Sequence, residues 1–462
     1  MGQRRIPLWP FPPLAALAAY ANGLNGSFQF DDYNVIVREP RVHSFSAWAA
    51  NLAEGGIRPL LKASYLLNWS ISPGDPFGFH LLNLLLHAAN ALLVFFLARS
   101  LTRRYVPAWG ESAEPFALAV ALPFALHTLQ SEAVTYISGR SVSLAAFFYL
   151  AAMLAYIHGT GAERGVRWRV ASPVLFLCAV ASRETAATLP VALLLYEALA
   201  PDHDGWRVIL KRQAAYWGIL AALAAVVLTN QNYLYLLHYA FELRSGAENL
   251  FSQIHGVSHV LSHLALLNGI NIDPDLRTVA SPSPSTFLLA ALLAAPLVAA
   301  AIAARKNPLF SFGVFWFCLQ MLPANSFIPR TDIANERHLY LSMAGLCIAA
   351  GALAMQYHER WRHNRRAVVA AFALLLCLLA AFTVRRNRVY ASEITLWEDA
   401  VEKSPLKARP HNNLGYAYYL AGRHEEAERE YRAALQCDPE FFKARRNLWR
   451  LEKDVQDFKP GA

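Results

Sequence analysis

Apolar runs dominate the chain. They fall at 8–24, 81–101, 116–129, 141–158, 170–181, 185–199, 213–229, 286–304, 309–323, 339–355 and 367–384, separated by short arginine-rich connections. A helix needs about 20 apolar residues to cross a bilayer. The pattern therefore predicts an all-α, polytopic membrane protein with eleven spans. The run at 170–181 is too short alone and meets Ser182-Arg183-Glu184 before the next run begins. Charges at such a break imply a water-filled cavity or an internal partner, because irregular backbone at depth must be shielded from lipid. Two long polar stretches, about 25–80 and 230–285, interrupt the pattern. They exceed the length of simple turns and should carry short helices of their own.

After residue 390 the apolar runs give way to amphipathic helical periodicity. Leu414, Gly415, Tyr418, Ala427, Tyr431, Ala434 and Pro439 stand at the spacing of one tetratricopeptide repeat over 408–441. Trp397, Ala400 and Pro405 give half of a preceding repeat, and 443–457 reads as a capping helix. The chain divides into a membrane domain, 1–388, and a repeat domain, 389–462. So short an array should lean on the membrane domain or on a partner, since about three stacked repeats are needed for stability.

Composition agrees with the pattern. Hydrophobic residues make up 55% and charged residues 16%, against about 25% charged in soluble proteins. The net charge of +9 sits in topology-setting clusters, which argues against nucleic-acid binding. Arg4/Arg5, Arg99/Arg103/Arg104, Arg164/Arg167/Arg169, Arg207/Lys211/Arg212, Arg305/Lys306 and Arg360 to Arg366 fall on alternate connections. They assign the amino terminus and these loops to the cytoplasm of a cell inner (plasma) membrane. Both long stretches, the polar hairpin at 130–140 and the repeats are then outside. Arg385, Arg386 and Arg388 oppose this count. A cleaved leader ending near Ala19-Tyr20-Ala21 is the alternative reading of the first run. The five cysteines form no CxxC pair, so neither a disulfide framework nor a zinc site is expected.

Four polar clusters from distant parts of the chain converge on the outer side. They are Asp31/Asp32, Glu132 with Arg140, Arg183/Glu184, and Glu336/Arg337/His338. Arginines can hold a phosphate bidentately, and a carboxylate can take a proton from an incoming hydroxyl. The set suits a phosphorylated lipid, with Asp32 slightly preferred over Asp31 as base and Arg183, Arg337 and Arg140 as phosphate ligands. Plainer roles stay open, namely a loop cap for the Asp pair, a solvated Glu132, an interfacial anchor for Arg140 and a structural Arg183–Glu184 ion pair. A divalent metal held by His80 or His338 with Asp31 also stays open.

Taken in order, these motifs resemble a known family. Phe30-Asp31-Asp32 is similar to the acidic motif in the first outer loop of GT-C glycosyltransferases. The closer resemblance is to the transmembrane and tetratricopeptide repeat-containing O-mannosyltransferases. It rests on Arg58-Pro59-Leu60, Gly78-Phe79-His80 running to His87, Ala125-Leu126-His127 with Ser131-Glu132, and Ser138-Gly139-Arg140-Ser141. Ser182-Arg183-Glu184-Thr185 and Asn335-Glu336-Arg337-His338-Leu339-Tyr340 complete it. Arg183 and Phe30 replace the Lys and Trp the family often carries, and the repeat array is short.

The resemblance implies sugar transfer from a polyprenyl-phosphate donor to a protein hydroxyl on the outer face, with inversion and an Asp base. It implies substrate contacts from Glu132, His80, Arg58, Glu336, His338 and Tyr340, and a protein acceptor contacted by the repeats. Rival expectations are a glycolipid or surface-polymer acceptor, and a transporter or scaffold that holds a lipid-linked sugar without chemistry.

Overall fold

The computed structural model describes residues 6–160, 166–202, 204–264, 267, 269–326, 328–356 and 364–457. Arg4, Arg5, Arg164, Arg360 and Arg362 of the charge count lie outside the described residues. Every regular element among the described residues is helical. The amino-terminal half runs α1 (Phe11–Tyr20), α2 (Phe45–Ala53), α3 (Pro59–Ile71), α4 (Pro76–Tyr105), α5 (Ala113–Leu126), α6 (Ser131–Val134), α7 (Arg140–Gly159), α8 (Val166–Ser182) and α9 (Leu189–Ala198). There follow α10 (Trp206–Thr229), α11 (Gln231–Leu243), α12 (Gly246–Ser262), α13 (Pro284–Ala303), α14 (Pro308–Met321), α15 (Ser342–Gln356) and α16 (Arg365–Val389). The repeat region is α17 (Glu393–Lys403), α18 (Ala408–Leu420), α19 (His424–Cys437) and α20 (Phe442–Asp457).

Eleven spans were expected. Five helices among the described residues are long and apolar enough to cross a membrane, at Pro76–Tyr105, Ile137–Gly159, Trp206–Thr229, Pro284–Ala303 and Arg365–Val389. A sixth arises if Pro107–Leu126 and Thr128–Val134, bent by 57°, count as one broken span. The other expected spans fold as shorter pieces. Proline accounts for part of this: it opens α1 and α9 and sits inside α8 at Pro173, and a ring within a helix removes a backbone bond and crowds the preceding turn.

The core gathers around α4 and α7, with α1, α5, α14 and α15 packed on them through Tyr20, Phe95, Phe124, Tyr149, Trp316 and Ile348. In α10, α13 and α16 only 11% of the most apolar window is buried, so three long apolar faces point away from the protein. Faces of that size are too large for a water-exposed surface and suit lipid.

The long polar stretches do carry helices, α2 and α3 in the first, α11 and α12 in the second. The repeat region is fastened to one end of the bundle. Its core of Leu396, Trp397, Leu414 and Tyr431 is continuous with Tyr136, Ile272 and Tyr390. Asp273 receives Lys407 at 2.5 Å and also pairs with Arg409, which reaches Asp332 at 2.6 Å. Arg386 is buried and pairs with Asp399 at 2.6 Å, so one arginine of the cluster that opposed the charge count is an internal link to the repeats. Gly415 permits the repeat helices to cross, because a Cβ there would lie 2.7 Å from the Tyr431 ring and 3.1 Å from the Ala427 carbonyl.

Candidate active site

The loop that follows α1 is held at three points. Gln29 Nε2 donates to the Tyr390 carbonyl at 2.6 Å. The Phe30 amide donates to Glu393 Oε1 at 2.8 Å, and the Asp31 amide donates to the Tyr136 hydroxyl at 3.0 Å. Phe30 has a φ of +47°, a left-handed conformation that costs an L-residue energy and that the surroundings must impose. Its ring packs edge-on against Trp397 at 5.2 Å. This turn sends consecutive acids in different directions.

Asp32 is fully buried. Its Oδ1 accepts from the Ser138 amide at 2.9 Å and from the Ser138 hydroxyl, and its Oδ2 accepts from the Gln29 amide at 3.0 Å. Both oxygens are occupied by loop-to-hairpin ties. Burial pushes the carboxyl up to about 7 against those hydrogen bonds. Asp31 instead opens into a cavity of about 280 Å³ whose wall includes Arg58, Arg183, Arg330, Arg337 and Lys62. Burial also raises Asp31 above the ordinary carboxylate range, opposed by Arg337 and the Tyr136 hydroxyl. The expectation that favoured Asp32 over Asp31 does not fit this geometry, because Asp32 has no oxygen directed at the cavity.

The arginines differ in how they are paired. Arg58, at a left-handed φ of +52°, forms a two-pronged pair with Glu184, Nη2 to Oε2 at 2.8 Å and Nε to Oε1 at 3.1 Å. Glu184 also accepts from the Tyr233 hydroxyl at 3.1 Å. The Arg183–Glu184 pair that the sequence left open is therefore replaced by Arg58–Glu184, which leaves Arg183 with the Ser141 hydroxyl at 2.8 Å. Arg337 is anchored by Glu132, whose Oε2 accepts the Arg337 amide at 3.0 Å and whose Oε1 lies 3.7 Å from Nε. Among the described residues, neither Arg183 nor Arg330 forms an ion pair. Burial first, then Arg337 and Arg58, lowers Arg330 to about 10 against the pull of Glu184 and Asp332, since desolvation and nearby like charges both disfavour the charged form.

Arg183 and Arg337 also line a smaller adjoining cavity with His338, Gln320 and Tyr149. Neither ring nitrogen of His338 has a hydrogen-bond partner among the described residues. Burial, then Arg330, Arg183 and Arg337, holds its pKa well below the usual range. A neutral imidazole beside these arginines can donate one hydrogen bond to an anion without adding charge.

Four expected site residues lie elsewhere. Arg140 is fully buried, gives Nε to Asn83 Oδ1 at 2.7 Å, Nη1 to the Ser64 carbonyl at 3.1 Å and Nη2 to the Phe79 carbonyl at 2.9 Å, and lies over the Tyr65 and Phe79 rings. Its donors are spent tying α3, α4 and α7 together, so it is not placed as a phosphate ligand. His80 bonds the Gly26 carbonyl at 3.1 Å beneath the loop, and the Tyr340 hydroxyl meets His87 Nδ1 at 2.8 Å and Asn90 at 3.0 Å inside the bundle. Neither lines the cavity. Glu336 is buried and accepts the Asn271 amide at 2.9 Å, so it sets the second outer stretch rather than facing the cavity. Among the described residues no group of three His, Cys, Asp or Glu is arranged to hold a metal ion. The hairpin behind Asp32 depends on Gly139, where a Cβ would lie 2.3 Å from the Glu132 carbonyl.

Similarity to known proteins follows the same order of parts. A tetratricopeptide repeat family matches residues 408–441. The chain is similar to protein O-mannosyl-transferases. It is 24% identical to TMTC1 of Mus musculus over 96% of this chain and 59% of that protein. It is 24% identical to Tmtc3 of Drosophila melanogaster over 96% of this chain and 56% of that one. For TMTC3 of Homo sapiens the values are 22%, 96% and 52%. The chain thus spans about half the length of the curated relatives it matches. The resemblance read from the motifs is supported over nearly the whole sequence.

Arg330, Lys62 and Tyr233 were missed by sequence reasoning. Arg330 had one available signal, as a basic residue seven positions before Arg337 in the same polar connection. Lys62 and Tyr233 carried none, since each sits in a helix whose facing surface is set by tertiary packing.

Proposed function

We propose that this chain is a membrane glycosyltransferase that moves a sugar from a polyprenyl-phosphate donor to a hydroxyl of a protein acceptor on the outer face. The observation that carries this reading is the cavity in which Asp31 shares a wall with four guanidiniums, two of which have no acid partner among the described residues, while the other lining carboxylate, Glu39, pairs with Arg41. Arg183, Arg330 and Arg337 hold the donor phosphate, with His338 as an added donor. Asp31 takes the proton of the acceptor hydroxyl. The hydroxyl oxygen bonds to the anomeric carbon from one face as the carbon–oxygen bond to phosphate breaks on the other. The electron pair leaves on the phosphate, where the arginines stabilise it, and the sugar inverts.

An apolar groove of about 710 Å³ among α9, α12, α13 and α14 borders the small cavity near residues 320–325. It has the chemistry to take a polyprenyl tail. The shorter helices α1, α8, α9, α14 and α15 and the one bent pair complete eleven crossings with the five long helices, with the amino terminus cytoplasmic and the repeats outside. The similar TMTC1 and Tmtc3 are protein O-mannosyl-transferases, which supports a protein acceptor.

The test uses purified full-length chain with polyprenyl-phosphate mannose and a serine/threonine-rich acceptor. Asp31→Asn should abolish transfer while donor binding persists. Transfer at the wild-type rate by Asp31→Asn would remove the base assignment. Donor binding by the wild type with no transfer to any protein, glycolipid or polymer acceptor would favour a carrier or scaffold.

A further inference from the structure

A second polar cavity, of about 320 Å³, lies on the other side of the Phe30 turn between the first outer loop and the repeats. Its wall carries Arg38 from the loop and Lys443, Arg446 and Arg450 from α20, against a single acid, Glu393. Glu393 is already engaged by the Phe30 amide at 2.8 Å. None of the four cations forms an ion pair among the described residues. The floor is a chain of side-chain amides. Asn447 Nδ2 donates to Asn412 Oδ1 at 3.0 Å, and Asn412 Nδ2 donates to Asn413 Oδ1 at 3.0 Å. That leaves the Asn413 Nδ2 donor buried and without a partner. Tyr416 adds an aromatic edge, stacked with Tyr419 at 6.4 Å.

Each feature matches an extended acidic polypeptide. Side-chain amides can hydrogen-bond to both the carbonyl and the amide of an extended backbone, the cations complement carboxylates, and the concave side of helical repeats suits an extended segment. The location matters as much as the lining. Phe30 lines this groove and Asp31 lines the catalytic cavity, and adjacent Cα atoms lie about 3.8 Å apart. A segment lying in the groove therefore has a hydroxyl-bearing neighbour within short reach of Asp31.

We infer that this groove is a docking site for an acidic extended segment of the acceptor protein, placed to present a nearby serine or threonine to Asp31. The inference rests on the glycosyltransferase reading, and it adds what that reading lacks, a chemical class for the acceptor. Charge complementarity favours a polypeptide over the membrane, because the amide floor has no counterpart to match in a lipid headgroup layer.

The experiment measures fluorescence anisotropy of a labelled Glu/Ser-rich peptide on full-length chain, with Gln/Ser-rich and Lys/Ser-rich peptides as controls. The acidic peptide should bind and the basic one should not. The combined change K443E/R446E/R450E should weaken binding by about tenfold or more. The neutral set K443Q/R446Q/R450Q, and Arg38→Glu alone from the other wall, should weaken it less but in the same direction. Asp31→Asn should bind the peptide as the wild type does. Equal binding of acidic and basic peptides, or no effect of charge reversal in protein that elutes unaggregated, overturns the inference. So does loss, in the reversed variant, of binding to phosphatidylglycerol vesicles or of a chain dimer while peptide binding stays unchanged. Peptide that binds as expected but receives no sugar would instead count against the glycosyltransferase reading and leave the groove intact.

Discussion

The two ends of the membrane bundle treat buried charge in opposite ways. At the end away from the repeats, Glu197 is fully buried and meets Arg212 at 2.7 Å, Arg104 at 3.6 Å and the Tyr156 hydroxyl at 2.9 Å. Arg104 also reaches Asp202, and Arg212 also reaches Asp204. Both arginines are thus matched by acids. At the repeat end, Arg58 and Arg337 have acids while Arg183 and Arg330 have none among the described residues. A matched cluster is complete in itself and joins helices. An unmatched one holds unfavourable repulsion that only an incoming anion relieves. The difference separates an end whose buried charges are matched within the protein from one where, among the described residues, two arginines are not, although both are arginine-rich in sequence.

The comparison can be broken by mutation. The largest effect is expected at Asp31, where Asp31→Asn should lower transfer by about a thousandfold, within the range for losing a general base, without lowering the thermal midpoint. Asp32→Asn should act in the other order, lowering the midpoint first, because it disturbs the ties to Ser138 and Gln29. The transfer rate of the wild type should fall as pH drops and Asp31 takes up its proton, with a midpoint above the ordinary carboxylate value of 3.8. A midpoint at or below that value would contradict a buried base.

Next in size, Arg212→Gln should destabilise the chain by about 3 kcal/mol, since removing one partner leaves Glu197 buried and under-paired. Thermal unfolding in detergent measures it, and the protein that remains folded should transfer normally. Arg183→Gln should do the reverse. Donor binding should weaken by about tenfold or more through loss of a charge-assisted hydrogen bond, with stability unchanged or raised. If Arg183→Gln and Arg212→Gln shifted stability alike, the contrast between the ends would be wrong.

The smallest effect is within the repeats. The hydrogen bond that the His411 ring gives to the Glu430 carboxylate, at 2.7 Å, raises the His411 pKa. The folded value lies above the unfolded one, so the pair's stabilisation is fully present below pH 6.5. It is lost as pH rises through the folded value. His411→Gln should remove that pH dependence, at a cost of about 0.5–1 kcal/mol at low pH, read by thermal melts across pH. A wild-type profile without this slope would show the pair to be energetically silent.

Much of this was legible in the sequence. Helical class, the gathering of Asp31, Arg183 and Arg337 at one end of the bundle, the repeat at 408–441 and the family resemblance all follow from apolar run length and local spacing. These are properties of neighbouring residues, and burial of an apolar face acts on them directly. What spacing could not reach is which way a side chain points when its neighbours belong to distant segments. Asp31 and Asp32 are equivalent in sequence, and a left-handed Phe30 held by Glu393 and Trp397 separates them. Arg140 and Arg183 each looked able to hold a phosphate, and only packing showed that one spends its donors on backbone carbonyls while the other is freed by Arg58 taking Glu184. Run length likewise overstated the number of long helices, because proline and paired interior segments let short pieces stay buried within the bundle. The sequence determined which residues gather at one end of the bundle, since that depends on hydrophobicity along the chain. Tertiary structure decided which of them face the cavity, since that depends on hydrogen bonds and ion pairs between residues more than a hundred positions apart.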